Sequence, residues 1–540
     1  MHTRLGSFRR WWSGEWHWLS YLVVFLISFS LLLFYQANNV FADPDSFYHA
    51  KMALLIRDSG IVRNFPWLQL TTLGQHYTDQ HFLYHVILIP FETWLSPLMG
   101  LKLATVVFGA SLLTVFYWFL RTFNIRWAFF YYILLLFSRP FIFRISLAKA
   151  PSTSLILLLV GLAWVFRFQV KRAAALAFTY VWYYGGFPLF GVVTAVYVGV
   201  SALYNRLHRR MGSHRFIDNV LALVRRPVRR NRLNPNIAIL LAVVGGLVAG
   251  VVFNPYFPHN LFFYWQQLVN IGIINFRDVI GVGAEWYPYG FLALATNAAF
   301  VSLLLLLSIV VIIFRGKQMT KQTWALMVLT IFFMALTLKS RRYIEYYVPI
   351  AMLYGAFAIN DALSGPKGEE LLRAGRRMMN ANTWSKAIAA IFALYLLSGI
   401  GYIAGRDGVG QVADLRSGFA LTKFQAVGTW MSENTPVGSR VVHSDWDEFP
   451  PLFYYDSHNT YVAGLDPTFL YKANTDQYWT WVNITLGKYT GNVYDAVTKT
   501  LGAQYVFVAE GHVGMENEIQ QDGHFTLVYR DNEATVYKAK

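Results

Sequence analysis

Two carboxylates and an imidazole stand just beyond the first long apolar run, in Phe41-Ala42-Asp43-Pro44-Asp45-Ser46-Phe47-Tyr48-His49-Ala50-Lys51. Unpaired charges are costly to bury in lipid, so these side chains belong in water or against a substrate. An Asp-x-Asp pair suits the holding of a divalent cation or the orientation of an acceptor, because hard cations take carboxylate oxygens. The same residues also fit the N-terminus of an amphipathic helix starting near Ser46, where Asp is a common cap. A second polar group follows at Tyr77-Thr78-Asp79-Gln80-His81, then Tyr84 and His85. Basic residues form two clusters, Arg139, Arg144 and Lys149, then Lys339, Arg341 and Arg342. Guanidinium groups match phosphate by planar, bidentate geometry, although each arginine alone also fits snorkelling to anionic headgroups. Val282-Gly283-Ala284-Glu285-Trp286-Tyr287-Pro288 adds one more carboxylate.

The elements that must carry these groups are membrane helices. The chain of 540 residues is 56% hydrophobic and 17% aromatic but only 14% charged, the composition of a polytopic membrane protein. Its net charge of +17 falls mainly in short loops between apolar runs, which is the positive-inside pattern and not a nucleic-acid surface. It has no cysteine, so disulfides and thiolate chemistry are excluded. The first apolar run, Trp18 to Gln36, is long enough to span and does not read as a cleaved signal. Arg4, Arg9 and Arg10 place the N-terminus in the cytosol, which puts the Asp-x-Asp stretch outside. Residues 39–98 then form a long external loop, and connections of that length are usually functional.

Further spans are expected at Met99 to Leu120, Trp127 to Phe143 and Ser154 to Phe166, followed by a hairpin broken at Tyr183-Tyr184-Gly185-Gly186-Phe187-Pro188. Others are expected at Ile237 to Phe253, Gly290 to Phe314, Trp324 to Leu338, Tyr346 to Ile359 and Ala387 to Ala404. The arginines Arg206, Arg209, Arg210, Arg215, Arg225, Arg226, Arg229, Arg230 and Arg232 mark one inner loop. The count is about 11 spans, an odd number that leaves the C-terminus outside. Residues 1–404 thus form the membrane part and residues 405–540 a separate domain. In the latter, a helix from Phe424 to Glu433, strands at Ser439 to His443 and Gln504 to Ala509, and a hairpin from Phe525 to Tyr537 predict an α/β fold.

In their order along the chain, these motifs resemble the catalytic subunit of oligosaccharyltransferase, a membrane glycosyltransferase of the GT-C class. Asp45-Ser46-Phe47-Tyr48-His49 is similar to its first acidic motif, and Arg144 stands where that family has an Arg before its second. Gly283-Ala284-Glu285-Trp286 resembles its Ser-Val-Ser-Glu segment. Ser340-Arg341-Arg342-Tyr343 resembles its Arg-Phe segment, whose Arg contacts the lipid pyrophosphate. Ser444-Asp445-Trp446-Asp447-Glu448-Phe449 follows a strand where the family has Trp-Trp-Asp-Tyr-Gly. The resemblance implies a polytopic α-helical GT-C-like protein of about 11 to 13 transmembrane helices, with an extracytoplasmic C-terminal α/β domain, in a prokaryotic cytoplasmic membrane.

The activity implied is transfer of a sugar or oligosaccharide from a polyprenyl-phosphate or polyprenyl-pyrophosphate donor to an acceptor on the outer face. In such a transfer a carboxylate accepts or orients the acceptor proton, and cations stabilise the departing phosphate. Asp45 is the expected carboxylate, with Glu285 and Asp43 beside it. Arg144, Lys149, Arg341 and Arg342 are expected to bind the phosphate, and Trp446, Asp447 and Asp445 to line the acceptor side.

Two departures bear on this. Lys149-Ala150-Pro151-Ser152-Thr153 lacks the acidic pair of the second motif, so a Mg or Mn site would draw on Asp45 and Glu285 with Asp79 or His81 as replacement. Alternatively, Lys149 supplies positive charge to a phosphate directly, making a bound cation less necessary. The altered acceptor motif argues against peptide glycosylation. A transporter or flippase of a lipid-linked or anionic substrate is the alternative, and it would place its charged groups near the membrane midplane. A scaffold would scatter them.

Overall fold

The computed structural model describes residues 17–211, 234–380 and 382–540. Arg4, Arg9 and Arg10, and the inner-loop arginines from Arg215 to Arg232, lie outside these residues.

A helix stands at each segment expected to span. Seven of the described helices are long and apolar enough to cross a bilayer, or eight if Ala128–Leu136 and Arg139–Ser146 count as one bent span. The others fall short for simple reasons. Pro151–Phe166 has 16 residues and Val170–Tyr183 has 14, whereas about 20 residues cover a 30 Å hydrocarbon core. Ile344–Ala362 carries Glu345, Pro349 and Asp361 within its 19 residues. This is an integral membrane protein of the mostly helical kind.

Two features of the bundle matter for the site. The third apolar segment bends by 77° between Ala128–Leu136 and Arg139–Ser146. Pro140, in the first turn of the second helix, cannot donate a backbone hydrogen bond to the turn before it, so the chain restarts and turns Arg144 inward. The last membrane helix, Thr383–Arg416, runs on past residue 404. Its extension is held by Arg139, whose Nε and Nη2 donate to Asp414 at 2.9 and 2.8 Å.

The loop at 39–98 is folded, with helices Asp45–Ser59 and Phe82–Trp94 packed together. Strand β1 (Val40–Phe41) pairs antiparallel with β2 (Phe419–Ala420), Val40 facing Ala420 and Phe41 facing Phe419. Gly418 is required beside this ladder, because a Cβ there would lie 2.2 Å from the Phe41 carbonyl oxygen.

The C-terminal domain is built on a five-stranded sheet in the order β4-β3-β5-β7-β6, from β3 (Arg440–Val442), β4 (Thr460–Tyr461), β5 (Tyr505–Ala509), β6 (Phe525–Arg530) and β7 (Ala534–Ala539). β3 runs parallel to β4 and β5, and β7 antiparallel to β5 and β6. All five residues of β5 are buried, the pattern of a strand covered on both faces. The hairpin turns at Asp531, whose Oδ1 accepts the N–H groups of Glu533 and Ala534.

Helix Phe449–Tyr455 of this domain packs on helix Asp45–Ser59 through aromatic rings. Phe47 meets Tyr454 edge-on at 5.9 Å, and Trp67 meets Phe453 at 4.8 Å. Buried aromatic pairs of this kind contribute about 0.5–1.5 kcal/mol each beyond their area. The joint between membrane part and outer domain is therefore hydrophobic core, and the candidate site lies against it.

Candidate active site

A cavity of about 400 Å³ opens between the long loop, the bent helix, the Glu285 segment and the outer domain. Asp43, Asp45, Arg144, Lys149, Glu285 and Arg342 all line it. Trp446 and Asp447 close it from the C-terminal domain. Its size suits a small ligand or one end of a larger one.

One wall comes from the start of helix Asp45–Ser59. Asp43 Oδ1 accepts the Asp45 N–H at 2.9 Å, so Asp43 does serve the helix start. Its Oδ2 lies 2.7 Å from Lys149 Nζ, and Asp45 Oδ2 lies 2.8 Å from the same ammonium. Asp45 Oδ1 is buried with no hydrogen-bond partner among the described residues. Burial, reinforced by Asp43, pushes the Asp45 carboxyl up to about 6 against the pull of Lys149. Burial pulls the other way on Lys149, but Asp43 and Asp45 outweigh it and hold the ammonium above its usual range.

The facing wall is an alternating ladder of charges. Arg144 donates from Nε and Nη2 to Glu345 Oε2 at 3.0 and 2.8 Å, and from Nη1 to Glu285 Oε2 at 2.5 Å. Arg342 donates from Nη1 to Glu285 Oε1 at 2.7 Å and from Nη2 to the Tyr184 hydroxyl at 3.2 Å. Its guanidinium lies 4.9 Å from the centre of the Trp286 ring, a cation–π contact. Burial would raise the Glu285 carboxyl, but Arg342, Arg144 and Lys149 hold it well below the usual carboxylate range. With both oxygens bound by guanidinium groups, Glu285 is an anchor for two cations and not a free base.

Several expected residues take other places. Arg341 and Arg342 are adjacent in a short 3-10 turn, Arg341–Tyr343, and point apart. Arg341 lines a second cavity of about 460 Å³, which also touches Arg144 and Glu285, and donates to the Pro288 carbonyl at 3.1 Å. Asp445 starts a capping box with Glu448; its N–H donates to Glu448 Oε2 at 2.9 Å, and it does not line the first cavity. Burial, with Asp445 and Glu448 nearby, pushes the Asp447 carboxyl up to about 7.

Asp79 is buried at 2% exposure and faces His85, with Oδ2 2.7 Å from Nδ1. Its Oδ1 accepts the His81 N–H at 2.9 Å. His85 Nε2 in turn lies 2.8 Å from His49 Nδ1. His81 does line the cavity, its ring against Tyr184. Burial lowers the affinity of both His49 and His81 for a proton, keeping the rings neutral.

The carboxylates and imidazole expected to hold Mg or Mn, namely Asp45, Glu285, Asp79 and His81, are thus not brought together as a ligand set. Lys149 holds Asp45, two guanidiniums hold Glu285, and Asp79 turns to His85. Among the described residues no group of three His, Cys, Asp or Glu side chains is placed to hold a metal ion.

Three participants were absent from the sequence reading of the site. Glu345 is fully buried inside an apolar helix, Tyr184 lies in the hairpin break, and Asp466 lines the cavity beside Leu465. Asp466 stands just before Pro467, and its Oδ1 accepts the Thr468 N–H at 2.8 Å. An acid ahead of a proline in a loop is the one mark in the sequence that could have drawn notice to it.

No protein-family model matches the chain. No curated protein matches it in sequence. Solved structures do match in fold. The archaeal oligosaccharyltransferase AglB from Archaeoglobus fulgidus, in complex with an inhibitory peptide and a dolichol-phosphate, superposes with a TM-score of 0.58 at 14% identity, over 92% of this chain and 70% of that one. ArnT from Cupriavidus metallidurans, bound to undecaprenyl phosphate, gives 0.54 at 14% identity, over 97% and 98%. The arabinofuranosyltransferase AftD from Mycobacteria gives 0.57 at 13% identity, over 97% of this chain and 40% of that one. The chain shares its fold with these three proteins, among them an oligosaccharyltransferase and an arabinofuranosyltransferase.

Proposed function

We propose that this protein is a membrane glycosyltransferase, moving a sugar or oligosaccharide from a polyprenyl-phosphate or polyprenyl-pyrophosphate donor to an acceptor on the outer face of the membrane. The observation that carries this reading is the convergence of Asp45, Lys149, Arg144, Glu285 and Arg342 on one cavity beneath the C-terminal domain. AglB and ArnT, which share the fold, were solved with dolichol-phosphate and undecaprenyl phosphate respectively.

In this reading the transfer is inverting. The acceptor hydroxyl donates to the cavity-lining Asp45 carboxylate, which orients its oxygen at the anomeric carbon and takes up its proton. A bond forms from that oxygen to the anomeric carbon as the bond from carbon to phosphate oxygen breaks. The electron pair leaves with the lipid phosphate, whose added charge is met by cations already fixed in place. A guanidinium has five N–H donors and an ammonium three. Arg342 engages two of its five, and Lys149 two of its three, so both have donors left for phosphate oxygens. Tyr184 and Glu285 keep Arg342 aimed.

A transporter reading lacks this support, since the charged groups gather under an outer domain that closes over them. The test is to incubate the purified protein in lipid nanodiscs with a panel of polyprenyl-phosphate and polyprenyl-pyrophosphate sugars. Release of the free lipid carrier is the expected result, and inertness toward the whole panel would end the proposal.

A further inference from the structure

Lys149 occupies the position where the resembling family carries its second acidic motif, and its ammonium touches both carboxylates of the first. We propose that Lys149 is a covalently tethered substitute for the divalent cation, so that sugar transfer proceeds without a bound metal. This inference rests on the glycosyl-transfer reading of the same cavity.

Competition for oxygens decides this. A hard divalent ion needs about six oxygen ligands at close range; here Asp43, Asp45 and Glu285 are largely engaged, and the other acids lining the cavity, Asp447 and Asp466, complete no group of three with them among the described residues. Asp43 presents Oδ1 to a backbone N–H and Oδ2 to Lys149. Asp45 has one oxygen on Lys149 and only Oδ1 free. Both Glu285 oxygens receive guanidinium hydrogens, and Asp79 is outside the cavity lining, bound to His85. An ion entering between Asp43 and Asp45 would meet an ammonium within hydrogen-bonding distance of both, a like charge in a poorly solvated place.

Lys149 can do what the ion would do. It neutralises the acidic pair, and its third N–H is available to the phosphate oxygen on which charge builds as the sugar departs. Its position is fixed by the chain. The Lys149 N–H donates to the Leu147 carbonyl at 2.8 Å, and helix Pro151–Phe166 begins immediately after. Positive charge of a helix N-terminus adds to that of the side chain.

The experiment uses the full-length protein in nanodiscs, with two readouts. Mn²⁺ binding is followed by electron paramagnetic resonance, and lipid-carrier release is followed with EDTA or with added Mn²⁺. For the natural chain we expect no bound Mn²⁺ and release indifferent to EDTA. Lys149→Ala is expected to release carrier about 10²–10³-fold more slowly, to bind Mn²⁺ through the vacated carboxylates and to recover part of its rate with that ion. Lys149→Arg, which keeps the charge and so guards against misfolding of the alanine variant, is expected to remain indifferent to both.

Stoichiometric Mn²⁺ on the natural chain, or EDTA inhibition of it reversed by Mn²⁺, would overturn the inference. So would a Lys149→Ala protein that binds no Mn²⁺ and transfers at the natural rate. If the natural chain consumes no lipid-linked sugar, the glycosyltransferase reading fails, while Mn²⁺ binding still decides whether Lys149 excludes the metal.

Discussion

The two charged walls of the cavity are built to opposite specifications. On one, a single ammonium serves two carboxylates, and an oxygen of Asp45 is left without a partner. On the other, two guanidiniums and two carboxylates alternate, with Glu285 bound through both oxygens and Arg144 gripped by three hydrogen bonds. Glu345 Oε1 is buried without a partner too, but Glu345 does not line the cavity, so only the first wall has an unpartnered oxygen on a cavity-lining acid. In the proposed transfer the second wall positions and the first reacts. A buried polar atom left unpaired costs about 1–3 kcal/mol, a penalty that persists in a folded enzyme where a substrate group relieves it.

That contrast can be broken or sharpened by substitution. Asp45→Asn on the reactive wall should slow transfer about 10⁴-fold, the upper end for loss of a general base, while the thermal unfolding midpoint stays unchanged. Retained activity in a folded Asp45→Asn protein would remove the contrast altogether. Glu345→Ala on the positioning wall should do the reverse. It strips a buried guanidinium of one partner and should lower stability by about 3–5 kcal/mol, measured by thermal or denaturant unfolding in detergent.

Arg342→Lys keeps the charge but loses the second arm that joins Glu285 to Tyr184. Transfer should fall about 10²-fold, with a smaller change in unfolding than for Glu345→Ala. The pH profile tests the reactive wall without mutation. Asp45 must be ionised to take a proton, and its carboxyl is pushed up to about 6. The rate should therefore fall as pH drops through about 6, tenfold per unit, where an ordinary Asp would hold the rate until about pH 4. The smallest effect expected is for Asp447→Asn, less than tenfold, seen as weaker acceptor binding with the turnover rate preserved.

Much of this arrangement was legible in the chain. Membrane segments follow from hydropathy because lipid demands long apolar helices, and the α/β character of the outer domain follows from its strand and turn pattern. Asp45, Arg144, Lys149, Glu285 and Arg342 drew notice because charges at a membrane boundary are costly and so conspicuous, and all five line one cavity. Glu345 escaped because one acid inside an apolar helix carries no sign of the arginine it meets 201 residues away. The parting of Arg341 and Arg342 depends on backbone conformation in a three-residue turn, which neighbouring residue types do not specify. Asp79 and His81 read alike as ligands by spacing, yet only His81 reaches the cavity, since Asp79 finds a buried imidazole first.

The short pairing of β1 with β2 has one more consequence. It staples the residues just before Asp43 to the residues just after the last membrane helix, so the Asp43-Asp45 stretch is tied to the first and the last membrane helix at once. A chain cut back to its membrane helices would lose β2, and with it the rail on which Asp43 and Asp45 are aligned. The outer domain is accordingly not an interchangeable attachment. Swapping it between related proteins would detune the acid, unless the graft brought its own matching strand.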